Sequence, residues 1–391
     1  MATAWKPFPV FSSEFVFNMD KNDLTLLCKV VDNFGDIGFV YRLARALVEL
    51  RPELKLRLVV SDLPSFSALA PEIDSSKSVQ SCFGWQIFDW NADEICAKAF
   101  AENPPSVILE CFQCGRPGWL EHLLFDVGVP HIVQILNIDY LTAEDYADDF
   151  HCLKSATRSP RVKKSNFMPG FTKNTGGLVL DGAFVQSRIR GLEKRKNHSL
   201  QPENFTVLVF SYERDFTPLV RALSDFQNVS GKKICALVAA GKSHGPFMRA
   251  WKAEGMSFSV EELPFLPQEK WDALLCRCDL NFVRGEDSLS RACLSGVPFV
   301  WQAYPQEGDY HLVKLQALND RLRAFLPEDT FATYNRFTRD YNTNAEDADT
   351  LLDLLNDIPL MQDGFSAFSQ CLVENGNFAA HLLEWIDALK L

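Results

Sequence analysis

The sequence predicts an α/β protein made of two doubly wound halves, each with a parallel sheet that helices cover on both faces. The chain has 391 residues, 47% of them hydrophobic and 23% charged, so it is long enough and apolar enough to bury two cores. Short apolar runs alternate with amphipathic stretches, which is the pattern of a parallel sheet. The alternation stops once, over residues 187–204, and then begins again.

The first half contains apolar runs that predict buried strands, and its helices are indicated by apolar residues at a spacing of three to four. Strands are predicted at 24–31, 54–60, 106–112 and 130–136, and helices at 39–50 and 117–128. Residues 1–18 precede the first strand and are expected to lie outside the fold.

A charged stretch without apolar periodicity separates the halves and predicts a linker at 187–204. Beyond it, strands are predicted at 205–211, 232–240, 279–285 and 298–304, and helices at 218–226 and 288–296. The C-terminal residues have a helical pattern with a break near Gly376. We therefore expect domains at 19–186 and 205–365, and a C-terminal helix at 366–391 that returns to the first domain.

The composition excludes several classes of protein. A net charge of −12 leaves no basic footprint for direct nucleic-acid binding, and no apolar run reaches the length of a membrane span. Scattered cysteines in apolar surroundings, and an N-terminus without the signal-peptide pattern, predict reduced thiols in the cytoplasm. The pairs Cys111/Cys114 and Cys276/Cys278 lack the further ligands of a zinc site, so we expect no metal.

An acidic turn with two glycines follows the first predicted strand, in VVDNFGDIGF at residues 30–39. It contains Asp32, Asn33, Phe34, Gly35, Asp36 and Gly38. Ligands of open parallel sheets bind outside the carboxyl ends of the strands, where this turn lies. Its spacing is not the GxGxxG of dinucleotide sites, and two carboxylates would repel a pyrophosphate. The alternative is that Asp36 only caps the following helix.

The segment RGEDS has the corresponding position in the second half, between a predicted strand and a predicted helix. It consists of Arg284, Gly285, Glu286, Asp287 and Ser288. The free amides and the dipole of a helix start favour an anion, and Ser288 can donate to a phosphate. Glu286 can accept hydrogen bonds from sugar hydroxyls. The alternative is a capping turn with acidic residues in the first helical turn.

Two aromatic residues end the first strand of the second half, in VFSYERDF. Phe210 and Tyr212 lie where aromatic rings can sandwich a nucleobase. The alternative is that Phe210 belongs to the core and Tyr212 to its edge.

Taken together, five segments resemble in order and spacing the bacterial protein-arginine rhamnosyltransferases that modify elongation factor P, the EarP family. They are KVVDNFGDIGFVYRLARAL, PGFTKNTGGL, FSYE, FLPQEKWDALLCRCDLNFVRGEDSLSRA and GVPFVWQAYPQEGDYHLVKLQAL. The resemblance covers the chain from about residue 24 to about residue 320, and DNFGDIG together with RGEDS makes it specific. It implies the GT-B architecture, in which two Rossmann-like domains face a cleft.

The resemblance also implies an activity. Members of this family transfer L-rhamnose from dTDP-β-L-rhamnose to one arginine guanidine of elongation factor P, with inversion and without a metal or other cofactor. The N-terminal domain would bind the loop of the factor that bears the acceptor arginine, and the C-terminal domain would bind the nucleotide sugar. The modified factor would rescue ribosomes stalled at polyproline.

Residue roles are implied where positions match the family motifs. Asp36 would be the base, with Asp32 and Glu286 as supporting carboxylates. The nucleotide-sugar residues would be Phe210, Tyr212, Gln268, Arg284, Gly285, Asp287 and Ser288, and the acceptor-side turn would comprise Asn33, Phe34, Gly35 and Gly38. Arg291 is a further candidate to stabilise the diphosphate. Ile138 and Asp139 stand where the family usually has Trp and Glu, so acceptor contacts are expected to differ there.

Two other functions are compatible with the same residues. A nucleotide-sugar epimerase would act on a free sugar nucleotide, since one scaffold serves several chemistries. A non-catalytic module would use the acidic turn to hold a basic protein loop. Turnover without a protein acceptor distinguishes the first from a transferase, and binding without turnover distinguishes the second.

Overall fold

The computed structural model describes residues 19–31, 34–198 and 203–389. These residues divide into two compact units. Unit one takes in the described parts of Met1–Tyr140, Tyr146–Val179 and Asn377–Leu391. Unit two takes in Leu141–Asp145 and the described part of Leu180–Gly376.

The strands are numbered in chain order. They are β1 (Asp23–Cys28), β2 (Lys55–Val60), β3 (Val79–Cys82), β4 (Trp85–Asp89), β5 (Val107–Cys111), β6 (Val133–Ile138), β7 (Lys154–Ser155), β8 (Val162–Asn166), β9 (Asn204–Val209), β10 (Lys233–Ala239), β11 (Ser259–Leu263), β12 (Leu280–Arg284) and β13 (Phe299–Gln302). The strands at the centre of each sheet are mostly apolar, because helices bury both faces of a parallel sheet.

The helices follow the same numbering. They are α1 (Phe34–Leu50), α2 (Leu63–Leu69), α3 (Asp93–Glu102), α4 (Gly118–His122), α5 (Tyr146–Phe150), α6 (Gly182–His198), α7 (Thr217–Ser230), α8 (His244–Ala253), α9 (Gln268–Leu275), α10 (Glu286–Ser295), α11 (Tyr310–Arg323), α12 (Glu328–Thr343), α13 (Ala348–Glu374) and α14 (Phe378–Asp387). A π-helical turn at Leu123–Val127 extends α4. None of the helices formed by the described residues is both long enough and apolar enough to span a membrane.

The sheet of unit one has, within the described residues, eight strands in the order β3-β4-β2-β1-β5-β6-β8-β7. The six central strands run parallel, and the outer strands β3 and β7 pair antiparallel with their neighbours. From β1 the chain first adds strands on one side, through β2 and β4, and then adds β5, β6 and β8 on the other. The order therefore reverses between β1 and β5.

The sheet of unit two is parallel throughout its described strands, in the order β11-β10-β9-β12-β13. From β9 the chain builds outward through β10 and β11, and it then crosses back to place β12 on the other side of β9. The order of this sheet therefore reverses between β9 and β12. The predicted fold class, α/β with parallel sheets in two units, is confirmed.

Alternate residues of β1 send their side chains into the two cores of unit one, as the period of a strand requires. Leu26 packs into the core that contains Ile37 of α1 and Phe66 of α2, whereas Leu27 packs into the core that contains Phe100 of α3. The last helix, α14, buries Phe378, Leu382 and Ile386 in the first of these cores. The C-terminal helix thus belongs to unit one.

The predicted linker at 187–204 differs from the structure, in which most of it lies in α6 and in unit two. Helix α6 is anchored by buried Phe184 and by two arginines that donate to backbone carbonyls: Arg188 Nε to Leu294 at 3.0 Å and Arg195 to Cys276 at 2.7 Å. A charged helix docked through guanidinium groups has little apolar periodicity, which explains the difference.

Three further boundaries differ from the prediction. The first domain was predicted to end at residue 186, but the chain leaves unit one after Val179. Residues 366–376 belong to unit two, and the chain returns to unit one only at Asn377. Helix α1 begins at Phe34 rather than at residue 39, because the glycines and Asp36 form its first turn. The predicted break near Gly376 separates α13 from α14.

Candidate active site

Asp36 lies in the first turn of α1, just beyond the carboxyl end of β1. Its side chain is buried, with 2% of the residue exposed. One carboxylate oxygen, Oδ2, accepts a hydrogen bond from the backbone N–H of Val31 at 2.8 Å. The other, Oδ1, lies 3.4 Å from the hydroxyl of Tyr140. A carboxylate is thus held in a fixed orientation at the edge of the sheet where ligands bind.

The rest of the predicted acceptor-side turn lies around this carboxylate. Gly35 and Gly38 are in the same helical turn as Asp36, and Phe34 begins the helix with 40% of its surface exposed. Asp32 and Asn33 lie outside the described residues. The alternative role of Asp36, capping the helix that follows, is partly supported, because its hydrogen bond from the Val31 N–H stabilises the start of α1.

The ends of β5 and β6 carry side chains that the sequence motifs did not indicate. Phe112 follows β5, and its ring stacks on Tyr140 with centroids 4.6 Å apart and planes 24° apart. Gln113 Nε2 donates to Asp139 Oδ2 at 2.7 Å. Phe112 and Gln113 have left-handed backbones, with φ of 60° and 52°, which non-glycine residues seldom adopt. Phe112 is the last residue of the strand predicted at 106–112, and Gln113 follows it.

Asp36 and Phe112 mark the point where the strand order of unit one reverses, because they follow β1 and β5 respectively. In open α/β sheets, ligands bind at such a topological switch point. The position of Asp36 therefore supports a role in facing a ligand, in addition to its hydrogen bond with Val31.

Buried thiols lie close to Asp36. Burial raises the pKa of Cys28 and of Cys111 well above the ordinary thiol value, and the negative charge of Asp36 adds to both shifts. Burial also raises the pKa of Cys114 to about 12. These thiols stay protonated at neutral pH and are unsuited to act as nucleophiles. Within the described part of the chain, no cluster of three or more metal-ligating side chains is found.

The aromatic residues predicted in unit two surround Arg284. Its guanidinium carbon lies 4.8 Å from the ring centre of Phe210 and 4.7 Å from that of Tyr212. The backbone N–H of Tyr212 donates to Gln302 Oε1 at 2.8 Å, which fixes the loop after β9. Lys242 Nζ lies 5.8 Å from the same Tyr212 ring. The structure thus gathers two cations and two aromatic rings at the ends of β9, β10 and β12.

Helix α10 begins beside this cluster. Gly285 has φ 71° and ψ 165°, a conformation that is essentially restricted to glycine, and Glu286, Asp287 and Ser288 form the first helical turn. Lys314 Nζ lies 4.0 Å from Glu286 Oε1. Phe210 follows β9 and Arg284 is the last residue of β12, and the order of this sheet reverses between these two strands.

Two other predicted residues have different surroundings. Gln268 is buried at the start of α9, and Trp271 on the same helix contacts Phe210 edge-on at 5.0 Å, so α9 begins beside the aromatic pair. Arg291 is fully buried, lies over Phe184 at 4.6 Å and is 3.7 Å from Asp181. Arg291 therefore belongs to the packing of α6 against α10.

The fold, with its two parallel-sheet units, is similar to that of known glycosyltransferases. A solved anthocyanidin 3-O-glucosyltransferase in complex with UDP superposes with a TM-score of 0.52 at 10% identity, covering 95% of this chain and 100% of that one. A structure described as the basis for EarP-mediated arginine glycosylation of translation elongation factor EF-P gives a TM-score of 0.59 at 22% identity, covering 94% and 100%. The fold is that of the GT-B glycosyltransferases.

Sequence comparison identifies the family. The model described as "Elongation-Factor P (EF-P) rhamnosyltransferase EarP" matches residues 24–387. A protein-arginine rhamnosyltransferase of Shewanella oneidensis is 34% identical over 317 residues, which cover 75% of this chain and 78% of that protein. The chain belongs to the EarP family and is a glycosyltransferase.

Proposed function

We propose that this protein transfers L-rhamnose from dTDP-β-L-rhamnose to an arginine guanidine on a loop of elongation factor P. The observation that carries the assignment is the buried Asp36 carboxylate at the switch point of unit one, in a chain of this family. The reaction is inverting, needs no metal or cofactor and takes place in the cytoplasm. The modified factor then acts on ribosomes stalled at polyproline.

The acceptor chemistry explains why a carboxylate is needed. An arginine guanidinium has a pKa above about 12, so its nitrogen lone pair is almost never available at neutral pH. A carboxylate pairs with the guanidinium, orients it and accepts a proton as the new bond forms. Asp36 is suited to this task because hydrogen bonds already fix its orientation. Asp32 and Glu286 are assigned supporting roles.

The donor is assigned to the cluster in unit two. Phe210, Tyr212 and Gln268 would contact the thymidine, with the rings stacking on the base. Arg284, Gly285, Asp287 and Ser288 would lie at the diphosphate. A guanidinium suits this position because its planar fork can donate two hydrogen bonds to phosphate oxygens.

The transfer itself is a single displacement. The guanidine nitrogen forms a bond to the anomeric carbon of rhamnose as the bond from that carbon to the diphosphate oxygen breaks. The proton lost by the nitrogen passes to Asp36, and dTDP leaves with the bonding electron pair. Inversion follows because nucleophile and leaving group occupy opposite faces of the sugar, as in inverting glycosidases.

A direct test is to incubate the protein with dTDP-β-L-rhamnose and elongation factor P and to weigh the factor by mass spectrometry. A gain of one deoxyhexose on an arginine supports the proposal. An unchanged factor with an altered sugar nucleotide would instead indicate an epimerase. Binding of the factor without any product would indicate a non-catalytic module.

We expect Asp36→Asn to lose at least about 100-fold in transfer rate, because general-base catalysis is typically worth 10²–10⁴. The amide oxygen can still accept the hydrogen bond from Val31, so the variant should stay folded. Asp93→Asn is a matched control, since Asp93 is also in the first turn of a unit-one helix. Initial rates compare the transfer activity of the two variants, and thermal melts show whether both are folded. A fully active Asp36→Asn enzyme contradicts the role of Asp36 as the base.

A further inference from the structure

Tyr140 contacts the carboxylate that the proposed reaction uses, and no motif assigned it a role. It follows β6, and its hydroxyl lies 3.4 Å from Asp36 Oδ1. The other carboxylate oxygen accepts the bond from Val31, so the two oxygens have separate donors. A separation of 3.4 Å is long for an O–H···O bond, as catalytic hydrogen bonds often are before substrates bind.

The ring of Tyr140 is held in place by the loop after β5. Phe112 stacks on it at 4.6 Å and also contacts Phe39 of α1 edge-on at 5.2 Å. The stack therefore spans from the loop after β6 to the same helix that carries Asp36. This contact limits where the Tyr140 hydroxyl can lie.

The backbone of Tyr140 is fixed by Asp139. Its N–H donates to Asp139 Oδ1 at 2.8 Å, and Asp139 Oδ2 accepts from Gln113 Nε2 at 2.7 Å. Phe112 and Gln113 both hold left-handed backbones, which such residues keep only where the surroundings over-determine them. Ring and backbone of Tyr140 are thus tied to the same short loop.

We propose that Tyr140 is a positioning residue for Asp36, and that its hydroxyl holds Oδ1 so that the carboxylate faces the acceptor guanidinium. This inference rests on the proposed function. The Cys28 thiol on β1 and the Cys111 thiol on β5 interact electrostatically with Asp36, and burial keeps both thiols neutral at neutral pH. The Tyr140 hydroxyl lies close enough to Oδ1 to hold the carboxylate by a hydrogen bond, so its removal should change the position of the carboxylate.

Tyr140→Phe tests the proposal, because it removes the hydroxyl and keeps the ring that stacks on Phe112. We expect kcat to fall about tenfold, the scale of one hydrogen bond to a charged group, with the KM for dTDP-β-L-rhamnose unchanged.

Tyr41→Phe is the matched control. Tyr41 lies on α1 in unit one and is buried among Phe66, Phe83 and Trp85. The substitution removes a hydroxyl in the same unit without touching the contact with Asp36, so kcat and the KM for dTDP-β-L-rhamnose should stay those of the parent protein. A fall in kcat of this control equal to that of Tyr140→Phe would overturn the proposal.

The double variant Asp36→Asn/Tyr140→Phe separates a positioning role from general packing. If Tyr140 acts through Asp36, the double variant is no slower than Asp36→Asn alone, because coupled residues are not additive. Additive losses, or a Tyr140→Phe enzyme with parental kcat, overturn the Tyr140 proposal while leaving the role of Asp36 intact. A fully active Asp36→Asn enzyme overturns both.

Discussion

At the scale of single residues, Asp36 shows that a structural brace and a candidate base can be the same carboxylate. Its bond to Val31 ties the loop after β1 to the first turn of α1, where the helix dipole favours a negative charge. The second oxygen lies 3.4 Å from the hydroxyl of Tyr140, the residue that comes just after the end of β6. The two interpretations of this motif in the sequence therefore do not exclude each other.

The resemblance to the family supplied the roles proposed for Asp36, Phe210, Arg284 and Glu286. Residue type and position after a strand only made these residues candidates. They were not enough to find Phe112 and Tyr140. These two residues reach the site through a ring stack and a left-handed turn, and neither leaves a spacing pattern in the sequence. The prediction that Arg291 stabilises the diphosphate was wrong. The residue is near RGEDS along the chain, but this did not reveal that its side chain is buried.

Arg284→Lys should weaken donor binding. Lysine keeps the charge but loses the planar guanidinium that lies over Phe210 and Tyr212, and at a stacked or bidentate site the exchange is not conservative. We expect the KM for dTDP-β-L-rhamnose to rise about tenfold, or about 1.4 kcal/mol of binding free energy.

Arg221→Lys is the control for this prediction. Arg221 lies on α7 in the same unit, where it pairs at the surface with Glu254 at 2.9 Å. Its replacement should leave donor kinetics unchanged. A donor KM within twofold of the parent value for Arg284→Lys would mean that the guanidinium does not contact the nucleotide sugar.

At the scale of elements, the strands that are buried and mostly apolar were predictable, because such parallel strands form apolar runs. The predicted strands overlap β1, β2, β5, β6, β9, β10, β12 and β13. The strands β3, β4, β7, β8 and β11 were not predicted, because exposed residues interrupt their apolar pattern. Helix α6 was not predictable by this route. It docks through Phe184 and through arginines that donate to carbonyl groups, so its charged residues look like those of a solvated linker.

Gly191→Ala tests whether α6 is docked. A Cβ atom at this position would lie 2.2 Å from the carbonyl oxygen of Cys276, at the end of α9. Because backbone must move to relieve the clash, we expect the free energy of unfolding of unit two to fall by about 1–3 kcal/mol. This change is measured by denaturant unfolding, with hydrogen exchange as the probe of unit two.

Gly118→Ala is the matched substitution for that experiment. Gly118 begins α4, and nothing lies within 4 Å of a Cβ atom built there. Its replacement should leave stability unchanged or slightly raised, since alanine favours helix more than glycine does. Equal effects of the two variants would show that residues 187–198 do not pack as α6.

At the scale of the whole molecule, the chain leaves unit one at Val179, forms most of unit two and returns at Asn377. The helical break near Gly376 was visible in the sequence, but the change of unit was not. Helices α13 and α14 are both apolar on one side, and only the core that each one joins distinguishes them. Phe378 and Leu382 join the core of α1 and β1.

Leu382→Ala should therefore destabilise unit one and spare unit two. Leu382 is fully buried in the unit-one core, and removing a buried leucine side chain typically costs about 2–5 kcal/mol. Hydrogen exchange by mass spectrometry should show faster exchange in peptides from β1 and α1, with protection retained in β9 and β12. Leu360→Ala, on α13 with 58% of the residue exposed, is the control and should change neither unit. Protection lost equally from both units would mean that the C-terminal helix does not belong to unit one alone.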